Sequence, residues 1–331
     1  MMSAPRVLIT DFISEPLDFE RNVLGEAAEV VALEAMGEEA LVGKVETATA
    51  IICYHYLSIT RSTIERLQNC KVIVRGGVGY DNIDHRCARE HGIPVCNVPD
   101  YGTEEVADSA LGMILSLARG THFLQSRLRR GAGDWSVEQA KPIPRLRGRT
   151  LGIIGCGRIG SAVALRAKSF GLRVVFYDPH VPDGLDKALG IQRADHLEEL
   201  LAQSHLVSLH CPLTRETTNI IGAAELGVLP RGGFLVNTAR GGVVDTEAVV
   251  DSLATGHLHG AGIDVLEHEP PDENSKVLKA WRDPTHPAHD RLLLNPHAAF
   301  YCEEGGEEFR RKAARECLRA IRGEALRNVV N

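Results

Sequence analysis

No stretch of this 331-residue chain holds the roughly 18 uninterrupted apolar residues that a membrane-crossing helix needs. The first residues run straight into a strand pattern at Arg6 to Thr10, without the charged and apolar regions of a signal peptide. These two absences lead us to expect a cytoplasmic protein that does not associate with membranes. Positive charge is not in excess either: 37 Lys and Arg stand against 44 Asp and Glu, and the net charge of -7 argues against a nucleic-acid surface. The arginines at Arg127 to Arg130 and Arg145 to Arg149 do not reverse that balance and read as solvated or interface residues. The cysteines at positions 53, 70, 87, 96, 156, 211, 302 and 317 contain no C-x-x-C pair and no regular ligand spacing. Most lie in apolar runs, so reduced core thiols are expected rather than a disulfide framework or structural zinc. His286, His289 and Asp290 are near one another in a Pro-rich loop, but closeness in sequence does not make a metal centre, and none is expected. No internal repeat or low-complexity tract stands out.

What is present belongs to an ordinary globular protein. The chain is 44% hydrophobic and 24% charged, and it is long enough for two domains with a sizeable core. Short strand signals at Val7 to Thr10, Val30 to Leu33, Ala50 to Tyr54, Lys71 to Arg75 and Pro94 to Val98 alternate with helical stretches such as Arg61 to Gln68. That alternation predicts a small parallel α/β domain. Thr103 to Arg119 keeps a helical apolar stripe through Val106, Ala110, Ile114 and Leu117, and an extended arm over Gly131 to Gly148 follows. Further strand signals at Leu206 to His210, Gly233 to Thr238, Gly260 to Val265 and Leu292 to Asn295 predict a second doubly wound domain. A last helix, about Glu303 to Arg322, carries Phe309, Ala313, Cys317 and Ile321 on one stripe and can pack as a cap on the first domain.

The richest stretch runs from Thr150 to Asp178. Leu151 to Ile154 suit a buried parallel strand, and Ile159, Val163, Ala164 and Ala167 then recur at helical spacing. Between them lies Gly155-x-Gly157-x-x-Gly160. The first glycine permits the tight turn, the second admits a pyrophosphate to the backbone, and the third lets helix and strand pack closely. The free amides that open the helix, at Arg158 and Ile159, suit the phosphates. A second strand, Arg173 to Tyr177, ends on Asp178, about 20 residues beyond the first glycine, where an acid hydrogen-bonds the ribose hydroxyls. A carboxylate there repels a 2′-phosphate, so the expected cofactor is NAD. His180, close by, reads as a solvated loop histidine.

Three strand ends in the second domain carry polar residues: Thr238-Ala239-Arg240-Gly241-Gly242, Asp264 to Pro270 and Asn295-Pro296-His297. Ligands of open α/β sheets bind beyond the carboxyl ends of the strands. Hydride transfer to a 2-oxo acid needs a fixed cation for the carboxylate and a proton donor for the carbonyl oxygen. Arg240 can serve as the first, through its forked and permanent charge, and His297 as the second. Glu269 can hold the imidazole in one tautomer and favour its charged form. Taken singly, each has a plainer reading: a surface arginine after a strand, a loop acid before two prolines and a histidine in a turn.

Taken together and in order, Gly155-Cys-Gly-Arg-Ile-Gly160, Tyr177-Asp178-Pro179, Asn237 to Gly242, Gly262 to Val265 with Glu269-Pro270, and Asn295-Pro296-His297 resemble the D-isomer-specific 2-hydroxyacid dehydrogenase family. The resemblance covers essentially the whole chain. It implies that Arg240, Glu269 and His297 are the catalytic trio, the Glu-Pro context selecting Glu269 over Glu267. Val74-Arg75 to Asp84, Glu104 to Ser109, Val207 to Cys211 and Leu326-Arg327-Asn328 are closest to the C-terminal-binding-protein branch. That likeness implies that Arg75 and the Val78 and Gly79 amides help to hold the substrate carboxylate, with Tyr54 and His55 near the pocket. It also implies that Cys211, Pro212, Thr217, Thr238 and Asp264 line the cofactor, with Ala239, Arg240 and His297 beside it. Glycines 76, 77 and 79 suit an anion-cradling backbone independently, although Arg75 also reads as a strand-end surface charge. The branch has a tryptophan three residues after the histidine, where this chain has Phe300, and Pro270 to His289 is a longer loop here. Both departures bear on the substrate side chain.

The sequence thus predicts two doubly wound parallel-sheet domains. One is a flavodoxin-like substrate domain, 1–102 with 303–331, and the other a Rossmann NAD-binding domain, 103–302. The expected activity is NAD-dependent dehydrogenation of a small 2-hydroxy acid or reduction of the 2-oxo acid, by a homodimer paired through the arm around Trp135 and the helix Thr103 to Arg119. A rival is an NAD(H)-sensing scaffold for transcription factors, which would use a peptide cleft and flexible tails. The chain starts at its first strand and stops soon after its last helix, and no tails are expected. A catalytically idle NAD-binding subunit is the third reading.

Overall fold

The structure, a computed structural model, describes residues 4–331. The chain divides into two compact units, residues 1–102 with 301–331 and residues 103–300.

In the first unit, strands β1 (Arg6–Ile9), β2 (Glu29–Ala32), β3 (Ala50–Cys53), β4 (Ile73–Arg75) and β5 (Val95–Asn97) form one parallel sheet in the order β2-β1-β3-β4-β5. This is the flavodoxin-like order. Every residue of β3, Ala-Ile-Ile-Cys, is buried, as expected of a central parallel strand covered on both faces. The C-terminal helix Glu303–Arg322 returns to this unit and buries Phe309, Ala313, Ala314, Cys317 and Ala320. Phe309 meets the rings of Tyr54 and Tyr101 at centroid distances of 5.4 and 5.0 Å. The fully buried Glu20 carboxylate accepts two hydrogen bonds from Arg310 of that helix, at 2.6 and 2.7 Å. The helical stretch expected over Arg61 to Gln68 is shorter, Arg61–Ile64. Beyond it the amides of Arg66 and Leu67 bond to Thr63 and Ile64, three residues back, so the chain tightens out of the α-helix.

The second unit holds β6 (Thr150–Ile154), β7 (Arg173–Tyr177), β8 (Gln192–Arg193), β9 (Leu206–Leu209), β10 (Gly233–Asn237), β11 (Leu258–Ile263) and β12 (Leu292–Leu294). All are parallel, in the order β12-β11-β10-β9-β6-β7-β8. The chain runs outward to β7 on one side of β6 and to β9 on the other, so a topological switch point opens at the carboxyl end of β6. The helix Thr103–Arg119 lies against the sheet at glycines: a Cβ at Gly262 would stand 3.1 Å from Met113 and one at Gly260 3.1 Å from Leu117. A helix absent from the sequence reading, Thr121–Arg129, buries no residue and so leaves no apolar period to read. Its Arg127, with neighbouring Arg130, binds the Asp290 carboxylate at 2.7 and 3.1 Å, so two arginines read as solvated or interface residues anchor a loop. On the following arm Trp135 and Val137 stand 91% and 73% exposed. No helix among the described residues is long and apolar enough to cross a membrane.

Candidate active site

Each glycine after β6 answers a different constraint. Gly155 has φ +88°, and a Cβ there would lie 2.6 Å from the Cys211 amide nitrogen, because this turn abuts the loop after β9. A Cβ at Gly160 would collide with the Gly155 carbonyl oxygen. Gly157 has nothing within 4 Å of its missing side chain, which is the open space a phosphate approaching the backbone requires. The helix Arg158–Ser169 begins there, and its first amides lack intrahelical acceptors. Asp178, just past β7, accepts from the Cys156 amide at 2.8 Å with one carboxylate oxygen and from the His180 amide at 2.9 Å with the other. The acid is therefore tied to the glycine turn, and each oxygen retains a lone pair for a ribose hydroxyl. His180 is exposed and lies 3.5 Å from Glu216.

The loop after β9 supplies Cys211, Pro212 and Thr217. Cys211 is buried, and burial pushes its thiol up to about 11. The Thr217 hydroxyl donates to the Pro212 carbonyl at 2.6 Å and accepts from the Thr214 amide at 2.8 Å, closing the loop on itself. At the end of β10 the Thr238 hydroxyl is buried with no hydrogen-bond partner among the described residues. An orphaned polar atom at the carboxyl edge of the sheet suits a bound cofactor group, and with the open space at Gly157 the residues fit a dinucleotide.

The carboxyl ends of β10, β11 and β12 gather the three residues singled out for chemistry. Arg240 donates from its guanidinium to the Ala239 carbonyl at 2.8 Å. The next residue, Gly241, lies so close to the backbone of Leu266 and Glu267 that any Cβ would collide with it. The loop beyond carries Glu269, whose carboxylate accepts from the Leu266 amide at 2.8 Å and meets His297 Nδ1 at 2.6 Å. Burial pushes the Glu269 carboxyl up, but the His297 hydrogen bond and charge, the Leu266 amide and the Arg240 charge outweigh it and hold the group below its ordinary value. An ionised carboxylate only accepts, so Nδ1 carries the proton in this pair.

His297 itself sits at φ +51°, a left-handed conformation uncommon for a residue with a side chain. Asp264 holds it there. Its carbonyl accepts from the His297 amide at 2.8 Å, and its carboxylate accepts from the amides of Ala298 at 3.0 Å and Ala299 at 3.1 Å. Burial raises the Asp264 carboxyl above its ordinary value, against the pull of those two amides. The Phe300 ring stands edge-on to His297, centroids 6.0 Å apart.

Two further residues at this edge fell within the quoted motifs but were given no role there. Asn237 ends β10 fully buried and bonds to the turn that bears Arg240. His210 directly follows β9, its Nε2 2.8 Å from the Ser208 hydroxyl and its buried Nδ1 unpartnered among the described residues; burial pushes it down to about 3 and keeps it neutral. Among the described residues no group of three His, Cys, Asp or Glu is arranged to hold a metal ion.

The first unit places its own set at the carboxyl ends of β3 and β4. Arg75 is buried and donates to the Gly76 carbonyl at 3.2 Å. Val78 and Gly79 follow in a turn braced by Asn97, whose side chain donates to the Val78 carbonyl at 2.7 Å. Glycine at 76 is required by packing, since a Cβ would strike the Tyr54 ring. Tyr54 and His55 flank Phe12, with ring centroids at 5.5 and 4.6 Å, and the Asp11 carboxylate accepts from the amides of Tyr54 and Tyr56, both at 2.8 Å.

Known proteins share this construction. Residues 111–299 match the model of the D-isomer specific 2-hydroxyacid dehydrogenase, NAD binding domain. The chain is 34% identical over 326 residues to D-3-phosphoglycerate dehydrogenase of Methanocaldococcus jannaschii, across 98% of this chain. It is 36% identical over 327 residues to C-terminal-binding protein 1 of Caenorhabditis elegans, across 97% of this chain. Both relatives are longer, and the chain spans 59% and 44% of their lengths. The crystal structure of D-lactate dehydrogenase from Aquifex aeolicus, complexed with NAD and lactic acid, superposes with a TM-score of 0.85 at 29% identity over 96% of each chain. A seven-stranded sheet with its switch point at a glycine turn, an acid after the second strand, a matching family model and relatives along nearly its whole length give one conclusion: the chain belongs to the D-isomer-specific 2-hydroxyacid dehydrogenase family and carries its NAD-binding domain.

Proposed function

We propose that this protein is an NAD-dependent dehydrogenase that interconverts a small 2-hydroxy acid and its 2-oxo acid, with His297 as general acid and base. The observation that carries the reading is the 2.6 Å contact between His297 Nδ1 and a Glu269 held ionised beside the Arg240 charge. A bound nicotinamide would supply or take the hydride. As the C2 carbonyl of the oxo acid is reduced, its oxygen gains negative charge and His297 gives it the proton from Nε2. Glu269 stabilises the imidazolium before the transfer, and the reverse reaction returns the proton to the same nitrogen. Arg240 binds the substrate carboxylate through its forked charge.

Around that chemistry, Gly155, Gly157, Gly160 and the amides of Arg158 and Ile159 hold the pyrophosphate, and Asp178 holds the ribose. Cys211, Pro212, Thr217, Thr238, Ala239 and Asp264 line the rest of the cofactor. Arg75 and the Val78 and Gly79 amides assist with the carboxylate, and Tyr54, His55 and Phe300 meet the substrate side chain. The exposed Trp135 and Val137 of the arm support pairing with a second copy, and the working compartment is the cytoplasm.

The test follows NADH oxidation with a panel of 2-oxo acids for the protein and for His297→Asn. Loss of general acid–base help is expected to lower turnover by about 10² to 10⁴, with NADH binding retained. No turnover with any acid, combined with tight NADH and peptide binding, would overturn the reading in favour of a scaffold.

A further inference from the structure

We propose that Asn237 is a positioning residue that fixes the backbone root of Arg240, an inference that rests on the role given to Arg240 above. Asn237 is the last residue of β10 and its side chain is fully buried. The carboxamide Nδ2 donates to the Arg240 carbonyl at 2.8 Å, and Oδ1 accepts from the Ala239 amide at 3.0 Å. One end of a carboxamide only donates and the other only accepts, and here each end meets its opposite. Turning the group over would break both bonds, so the turn after β10 is held from two sides by a side chain with one allowed orientation.

The same residue reaches the histidine. The Asn237 carbonyl accepts from the Asp264 amide at 3.0 Å, and the Asp264 carbonyl accepts from the His297 amide at 2.8 Å. The peptides that carry the cation and the acid are thus joined through two buried residues. Arginine brings its charge to the end of four rotatable bonds, so the direction of its Cα–Cβ bond must be fixed by something other than the side chain. A tilt of roughly 10° at that root moves a guanidinium by about 1 Å, and a misplacement of that size can cost about 10²-fold in rate. On its other flank the turn is confined at Gly241, where the backbone of Leu266 and Glu267 leaves no room for a Cβ.

Asn237→Asp is the closest isostere. It keeps the acceptor for Ala239 and sets a carboxylate oxygen against the Arg240 carbonyl. We expect kcat/KM for the 2-oxo acid to fall about 10²-fold, chiefly through a higher acid KM, while the NADH dissociation constant moves by less than about threefold and the pH profile keeps its midpoint. In an Arg240→Lys background the same substitution should cost under about threefold, because the fork to be aimed has gone. An equal loss in both backgrounds would refute action through Arg240. A lower melting temperature with unchanged kcat/KM would reduce Asn237 to a structural residue. A further arm does not depend on turnover. In Asn237→Ala the Ala239 amide loses its acceptor, and its hydrogen exchange should accelerate about tenfold or more. If the wild type reduces no 2-oxo acid, the dehydrogenase reading fails, and the exchange rate still decides whether Asn237 holds the turn: an unchanged rate overturns it.

Discussion

Removal of the Asp264 carboxylate probes how the histidine is held. Its carboxylate serves two backbone amides, those of Ala298 and Ala299, at 3.0 and 3.1 Å. Bonds to a charged acceptor contribute about 1.5–3 kcal/mol each, so Asp264→Ala forfeits about 3–6 kcal/mol, less the burial cost that the raised carboxyl betrays. Asp264→Asn keeps one oxygen as a neutral acceptor at about 0.5–1.5 kcal/mol per bond, so it loses at most about 2–3 kcal/mol, from which relief of the buried charge is subtracted. In a unit of this size that lowers the melting temperature by at most roughly 4–10 °C. With its clasp gone, the turn can relax from the left-handed conformation at His297, which costs of order 1–3 kcal/mol to maintain, and kcat should fall at least about tenfold. Melting and steady-state kinetics on the same preparations give both readouts. Acidity supplies a third. Burial lifts the folded-state value above the ordinary 3.8, so the folded protein takes up this proton at a higher pH than the unfolded chain. The stability contributed by Asp264 therefore rises as pH falls through the folded value and levels off below the unfolded one. Asparagine has no such titration, so the advantage of the wild type should widen on acidification. Melting within about 2 °C of wild type with unchanged kcat, or an advantage that narrows in acid, would refute the argument.

At the glycine turn, Gly160→Ala forces a methyl group into the Gly155 carbonyl and Ile153. Overpacking of about 1–3 kcal/mol should weaken NADH binding roughly 10- to 10²-fold in a fluorescence titration, and unchanged affinity would show that helix and strand have room to spare. Asp178→Ala removes the tether to Cys156 and, on the proposed reading, the ribose acceptor. One lost charged hydrogen bond, about 1.5 kcal/mol, lowers NADH affinity about tenfold, and the ratio of kcat/KM with NADPH to that with NADH should rise; a fixed ratio would exclude Asp178 from cofactor choice.

Both sheets were legible because buried parallel strands are short apolar runs bounded by turn residues, and Ala50 to Cys53 or Leu151 to Ile154 leave little else to be. The glycine turn was equally open, since its spacing and the acid after β7 are local. What escaped had no local signature. The helix Thr121–Arg129 covers nothing and lacks a period, and β8 is two residues long. Asn237 looks like any strand-end amide until its carboxamide is seen spanning the Arg240 turn. The left-handed backbone of His297 is imposed by Asp264, 33 positions earlier by their numbering, so no window around the histidine reveals it. For Asp264 the resemblance implied a place beside the cofactor, while the structure shows its carboxylate occupied with backbone amides as well.

The return of the last helix to the first unit sets an order of events during synthesis. Residues 103–300 form a continuous segment that can close its own core as soon as it has left the ribosome. The β1–β5 sheet cannot. Phe309, Ala313 and Cys317, which cover part of it, and Arg310, the partner of the buried Glu20, are made only after the whole second unit. At roughly 5–20 residues per second the gap is about 10–40 s, during which Glu20 lacks its counter-ion and one face of the sheet its cover. The sheet that is translated before the second unit is therefore completed after it, and a nascent chain stalled before residue 303 would present that sheet to chaperones while the second unit is already folded.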